Sequence, residues 1–142
     1  MTNGTLVGAD GVERCAWVGA DPEYARYHDE EWGRPLHGDR ELFEKLSLEG
    51  FQAGLSWITI LRRRPGFRDA FHNFDPRVVA DLSADDVELL MADTRIIRNR
   101  AKIVATISNA RITVGLEPGE LDALIWAFAQ PPRSTRPTRS SA

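Results

Sequence analysis

The sequence predicts an all-α fold, and three observations carry that reading. Apolar residues recur every three or four positions, as at Leu42, Phe43 and Leu46 and again at Ile103, Ile107 and Ala110. Helix-start chemistry recurs as well, with Asp21 before Pro22 and with Ser83 followed three residues later by Asp86. No segment alternates polar and apolar residues long enough to demand a strand.

The elements follow in order. DPEYARYHDEEW begins a helix with Asp21 as cap and Pro22 in its first turn, and DRELFEKLSLEG repeats the pattern with Asp39 as cap. Gly50 and Gly54 weaken or bend the path into LSWITILRRR, which is expected to stop before Pro65-Gly66. GFRDAFHNF reads as a further short helix, FDPRVVADL as a capped helical turn, and SADDVELLMA as a helix with a capping box. NRAKIVATISNARITV places Ile103, Ile107, Ala110 and Val114 on one face, and PGELDALIWAFA makes a final amphipathic helix.

At 142 residues with 42% apolar composition the chain can enclose one core, so a single helical domain is expected over 12–129. Residues 1–11 and the proline-, arginine- and serine-rich stretch 130–142 read as flexible termini. The longest uncharged run, 50–61, is too short to cross a bilayer, and the first residues lack the apolar core of a signal peptide, so a cytoplasmic protein is expected. Cys15 is the only cysteine, which excludes an intrachain disulfide. A net charge of −3 argues against indiscriminate coating of nucleic acid. Bases nevertheless cluster at 62–64 and at Arg95, Arg98, Arg100 and Lys102, which leaves room for a phosphate-binding face.

Four groups of residues could carry chemistry. In LEGFQAGLSWITIL, a continuous helix would place the lone carboxylate Glu49 on the same side as Ala53, Ser56, Trp57 and Ile60. Trp17, Tyr24, Tyr27 and Trp32 lie close in sequence, either as core or as a pocket that stacks a flat ring. Residues 87–111 read as two helices joined around Arg95-Ile96-Ile97-Arg98. Such a hairpin can offer backbone N–H groups to a phosphate, although Arg95 and Ala101 stand where glycine would be usual; a plain helical hairpin is the competing reading. Cys15 and His28 make half of a metal site, with no CxxC or HxxxH partner, and a small buried cysteine is the competing reading.

Taken together, ERCAWV, DPEYARYHDEEWG, LFEKLSLEGFQAGLSWITIL, FHNFDP and IIRNRAKIVATISNAR resemble the DNA-3-methyladenine glycosylase I family, collinearly from about Glu13 to Phe128. The resemblance implies a helix-hairpin-helix fold and a base-excision repair enzyme that hydrolyses the N-glycosidic bond of 3-methyladenine in alkylated double-stranded DNA. It implies Glu49 as the catalytic pocket carboxylate, Trp57 as the stacking residue, and Tyr27, Tyr24 and Trp17 as the rest of the base pocket. Arg98 or Lys102 of the hairpin, or both, are expected at the DNA phosphates. The family's zinc site implies Cys15 and His28 as ligands, completed by a histidine and a cysteine from a C-terminal segment not found in this sequence. The expectation is therefore a half-site for zinc, in a shortened or divergent member. Its alternative activity is binding of modified base or DNA with little turnover, and self-association through newly exposed apolar surface is a further expectation.

Overall fold

The structure, a computed structural model, describes residues 4–128. It is built from seven α-helices, α1 (Pro22–Glu30), α2 (Asp39–Gln52), α3 (Trp57–Ala70), α4 (Pro76–Ala80), α5 (Ala84–Met91), α6 (Arg100–Val114) and α7 (Glu120–Ala127), preceded by a two-stranded antiparallel ribbon, β1 (Thr5–Val7) and β2 (Glu13–Cys15). The all-α expectation holds for everything that forms the core. The ribbon corrects the expectation that residues 1–11 are loose throughout. Thr5 pairs with Cys15 and Val7 with Glu13, and strands of three residues are too short to show the alternation by which a strand is read. The expected tail at 130–142 lies outside the described residues.

The caps read from the sequence form at three helices. Asp21 accepts from the backbone N–H groups of Glu23 and Tyr24, Asp75 accepts from that of Arg77, and Ser83 with Asp86 makes a reciprocal capping box. Asp39 does something else. Gly38, at φ 104°, occupies the cap position of α2, while the Asp39 carboxylate accepts from Gly119 N (2.6 Å) and Asp122 N (3.0 Å) at the start of α7. Asp122 returns the arrangement by accepting from Gly38 N at 2.6 Å, so each helix caps the other's N-terminus across more than eighty residues of sequence. Trp126 completes the dock by donating to the Leu36 carbonyl and stacking on His37.

Helix α3 runs through Pro65 instead of ending before it. Proline removes one helical hydrogen bond, but the two halves of the helix are tied down independently. Ile60 and Leu61 before the proline, and Phe67 after it, are fully buried, and Arg64 and Arg68 are ion-paired to Glu31 and Glu44. Phe51 of α2 meets Phe67 at 4.8 Å and Phe71 at 5.9 Å, and Phe71 stacks on Phe74. This ladder of phenyl rings fixes α2 against α3 and so fixes the geometry of anything held between them. A left-handed turn at 72–74 delivers Phe74 to the core, and Arg40 holds that turn through the Asn73 carbonyl at 2.6 Å.

The hairpin between α5 and α6 is locked to α3. Ile96 at its tip is 1% exposed, and Arg63 donates to the Thr94 and Ile96 carbonyls. Gly66 permits the approach, since a Cβ there would lie 2.6 Å from Arg95 Cβ. No residue from 92 to 99 has a positive φ, so Arg95 occupies its place without the strain that would call for glycine. On α6, Ile103, Ile107 and Ala110 are buried as the spacing implies, whereas Val114, in the last turn, is exposed. Among the described residues no helix is long and apolar enough to cross a membrane.

Candidate active site

The segment holding Glu49 and Trp57 is not one helix. Helix α2 ends at Gln52, Gly54 adopts φ 82°, and α3 begins at Trp57. The single-helix face drawn from the sequence is therefore wrong, but the break brings the same two side chains to one cleft. That cleft, about 250 Å³, is lined by Trp17, Tyr24, Tyr27, Trp32, Lys45, Glu49, Gln52 and Trp57. A larger cleft of about 450 Å³ continues from it and shares Tyr27, Trp32, Lys45 and Trp57.

Each wall has a local cause. Asp21 starts α1 so that Tyr24 and Tyr27, three residues apart, face the same way, with ring centroids 6.2 Å apart. Trp17 packs edge-on against Tyr24 at 4.8 Å and Trp32 at 5.5 Å, and Tyr27 lies 5.9 Å from Trp57. Tyr27 is buried and Trp17 is 41% exposed, so the cleft has a closed back and an open lip. Burial, helped by the neighbouring Tyr27, raises the Tyr24 phenol above its ordinary value.

Glu49 stands at the lip with its side chain half exposed, and its nearest charge is Lys45 Nζ at 3.6 Å, one helical turn earlier. That ammonium also sits 4.3 Å from the Trp57 ring centroid and 5.8 Å from that of Tyr27. The indole N–H of Trp57 is buried with no hydrogen-bond partner among the described residues, an arrangement that ordinary scaffold avoids. The chemical character is plain: an aromatic slot with a carboxylate at its edge suits a flat, positively charged group.

A family model for methyladenine glycosylase matches residues 17–142. The chain belongs to the methyladenine glycosylase family. It is 47% identical over 117 residues to the DNA-3-methyladenine glycosylase of Haemophilus influenzae, covering 81% of this chain and 63% of that one. To DNA-3-methyladenine glycosylase 1 of Escherichia coli it is 48% identical over 133 residues, covering 92% and 71%. A crystal structure of 3-methyladenine DNA glycosylase I superimposes with a TM-score of 0.78 at 49% identity, over 81% of this chain and 64% of that one. Another, in complex with 3-methyladenine, superimposes at 0.73 and 35% identity over 80% and 62%. The chain thus spans somewhat less than two thirds of the length of the Haemophilus protein and of these two solved structures.

Within this member of the family, Cys15 and His28 do come together. The Cys15 N–H points at His28 Nε2 at 3.5 Å, and His28 Nδ1 lies 3.0 Å from Asp29 Oδ1. The nitrogen lone pair a metal would need thus faces a backbone N–H. Among the described residues no group of three histidine, cysteine, aspartate or glutamate side chains could hold a metal ion, and two donors do not fit a four-ligand structural zinc. What the corner does here is mechanical. Hydrogen bonds from Arg14 and His28 hold Asp29 down at a pKa of about 2, and the His28 ring stacks on Trp32 and abuts Trp17. The corner thereby ties the ribbon and α1 to the aromatic wall.

The hairpin cations have separate duties. Lys102 Nζ donates to the Phe51 and Ala53 carbonyls, at 3.1 and 2.9 Å, satisfying the C-terminal end of α2 just below the cleft. Arg95 is paired with Asp93 and Asp69, and Arg100 with Glu88. Arg98 is exposed and, among the described residues, has no ion-pair partner. Asn99 caps α6 through the Lys102 N–H, so Arg98 immediately precedes a helix N-terminus.

Two lining residues were not singled out for the site from the sequence: Lys45 and Gln52. The i, i+4 spacing of Lys45 and Glu49 was the available signal, but that spacing is also how ordinary surface pairs are written.

Proposed function

We propose that this chain is a DNA base-excision glycosylase that releases 3-methyladenine from alkylated double-stranded DNA. The observation that carries the proposal is the Glu49 carboxylate at the edge of the slot formed by Trp57, Tyr27, Tyr24 and Trp17. The names of the relatives support the same reading. Methylation at N3 makes adenine cationic, so an extruded base gains both aromatic faces and a carboxylate that undamaged adenine cannot use equally.

In the reaction the bond between C1′ and N9 breaks with its electron pair going to N9, which neutralises the base. Water adds its oxygen to C1′ and gives up a proton. Positive charge moves from base to sugar as the bond opens, and the Glu49 carboxylate stabilises it there. Trp57 and Tyr27 hold the ring plane, and Lys102 acts as a positioning residue that fixes the end of α2 behind Glu49. Arg98 contacts phosphate. Exposed Leu124 and Phe128 offer the apolar surface through which copies of the chain would associate.

The test is incubation of the purified chain with methylated duplex DNA and measurement of free 3-methyladenine. Release above that of a heat-inactivated sample supports the enzyme. Retention of methylated DNA without release supports a binder with little turnover. At the hairpin, Arg98→Ala should weaken binding of damaged and undamaged DNA alike and lower the slope of log affinity against log salt by about one. An unchanged slope would remove Arg98 from the DNA face.

A further inference from the structure

We propose that Lys45 is a resident cation that fills the base site of the free protein and is exchanged for the cationic base, so that it sets how tightly a ligand must bind to stay. The inference rests on the reading of the aromatic cleft as a base pocket. As an i, i+4 partner of Glu49 alone, Lys45 would be an unremarked surface pair. Its Nζ, however, lies 4.3 Å from the Trp57 ring centroid and 5.8 Å from that of Tyr27 while 3.6 Å from Glu49 Oε1. Those are the aromatic faces and the carboxylate that a cationic purine would use. The Lys45 side chain is 35% exposed, so the ammonium can swing outward into solvent when displaced.

Any base that stacks on Trp57 must therefore break the contacts of Lys45 first. That loss is the same whichever base enters, but the ligands do not gain equally. The damaged base in DNA carries a positive charge and replaces the lysine at both Trp57 and Glu49. The released base is neutral, because the electron pair of the broken bond has stayed on it, and it replaces only the stacking. Subtracting one constant loss from both leaves the cationic substrate held and the neutral product weakly held. Lys45 returning to Glu49 then helps empty the site after cleavage. Lys45 thus competes with the base and sets the threshold of affinity that both must exceed, without changing the ratio between them.

The test is titration of free 3-methyladenine into the full 142-residue chain, followed by tryptophan fluorescence, for the parent, Lys45→Met and Lys45→Arg. Methionine keeps the length and helix propensity of the side chain and removes its charge, and a thermal melt verifies that each variant folds. Loss of one partly exposed cation–aromatic contact and one ion pair is worth roughly tenfold, so Lys45→Met should bind 3-methyladenine about tenfold more tightly, with Lys45→Arg close to the parent. In repeated turnover Lys45→Met should be inhibited by added 3-methyladenine at correspondingly lower concentration. Equal or weaker binding by Lys45→Met, with the parent still binding, would overturn the proposal and leave the pocket standing. Tightening in both variants would assign the effect to space rather than charge and would also overturn it. Absence of binding in all three would bring down the base-pocket reading, and this inference with it.

Discussion

Glu49→Gln should lower excision of 3-methyladenine by about 100-fold or more, the scale of about 2.7 kcal/mol seen when one preorganised electrostatic stabiliser is removed from a reacting centre. The substitution keeps the size and hydrogen-bonding shape of the side chain and removes only its charge. In the parent that charge stands at the lip of a slot lined otherwise by aromatic rings, Gln52 and Lys45, so no other carboxylate in the lining can take its place against a cationic base. Lys45 is the one other charged lining residue, and it has the wrong sign. Two controls come with the variant. Its thermal stability should match the parent, because the Glu49 side chain is half exposed and, among the described residues, its only ion pair is the one with Lys45. Its affinity for undamaged duplex should also be unchanged, because the hairpin and Arg98 are untouched. Excision equal to the parent's would make Glu49 an ordinary helix carboxylate.

Glu44→Gln should destabilise the fold without touching the chemistry of the cleft at Glu49. Glu44 is 6% exposed and accepts from Arg40 Nη1 at 3.0 Å and from Arg68 Nε and Nη2 at 3.1 and 2.8 Å. Burial pushes its carboxyl upward, but the guanidinium groups of Arg68 and Arg40 outweigh burial and hold it below its ordinary value. Removing the charge leaves two guanidinium groups facing a buried position without compensation. Because both arginines remain partly exposed, the cost should be roughly 2–3 kcal/mol, under the full range for breaking a buried pair. The pH dependence has a definite sign. A carboxyl whose folded value is depressed contributes stability above its unfolded value, near 4.5, and loses it as pH falls through the lower folded value. Thermal melts of the parent should therefore decline with acid below about 4.5, while Glu44→Gln should start lower and decline less over that range. A variant as stable as the parent at pH 7 would show that the ion triad is dispensable.

These two carboxylates, five residues apart on α2, show what the sequence made legible. Glu49 was readable because it is a lone acid in an apolar run that contains a tryptophan, and the motifs around it resemble a known family. Glu44 looked like one acid among many, since its partners Arg40 and Arg68 are four residues before it and twenty-four after. The helices were legible for the same reason as Glu49: their signals, an N-cap or an apolar stripe, lie within a few residues. Pro65 misled because the forces that carry α3 through it are tertiary, namely buried Phe67 and the ion pairs of Arg64 and Arg68. Asp39 had the right chemistry for a cap but serves α7, eighty residues away, which no local pattern can announce. Lys102 was expected at phosphate from its charge and its place on the hairpin, and only the packed structure reveals the carbonyls of Phe51 and Ala53 within its reach.

The central claim, that the base enters the slot between α1, α2 and α3, is tested most directly by the tryptophan side chains themselves. The chain has four tryptophans, of which Trp17, Trp32 and Trp57 line the cleft, while Trp126 packs on His37 and Leu36 away from it. Titration of 3-methyladenine should shift the indole N–H resonances of Trp57, Trp17 and Trp32 in a ¹H–¹⁵N spectrum, most strongly that of Trp57, and leave Trp126 in place. Shifts at Trp126 alone, or saturable binding that leaves the Trp57 resonance unmoved, would contradict it.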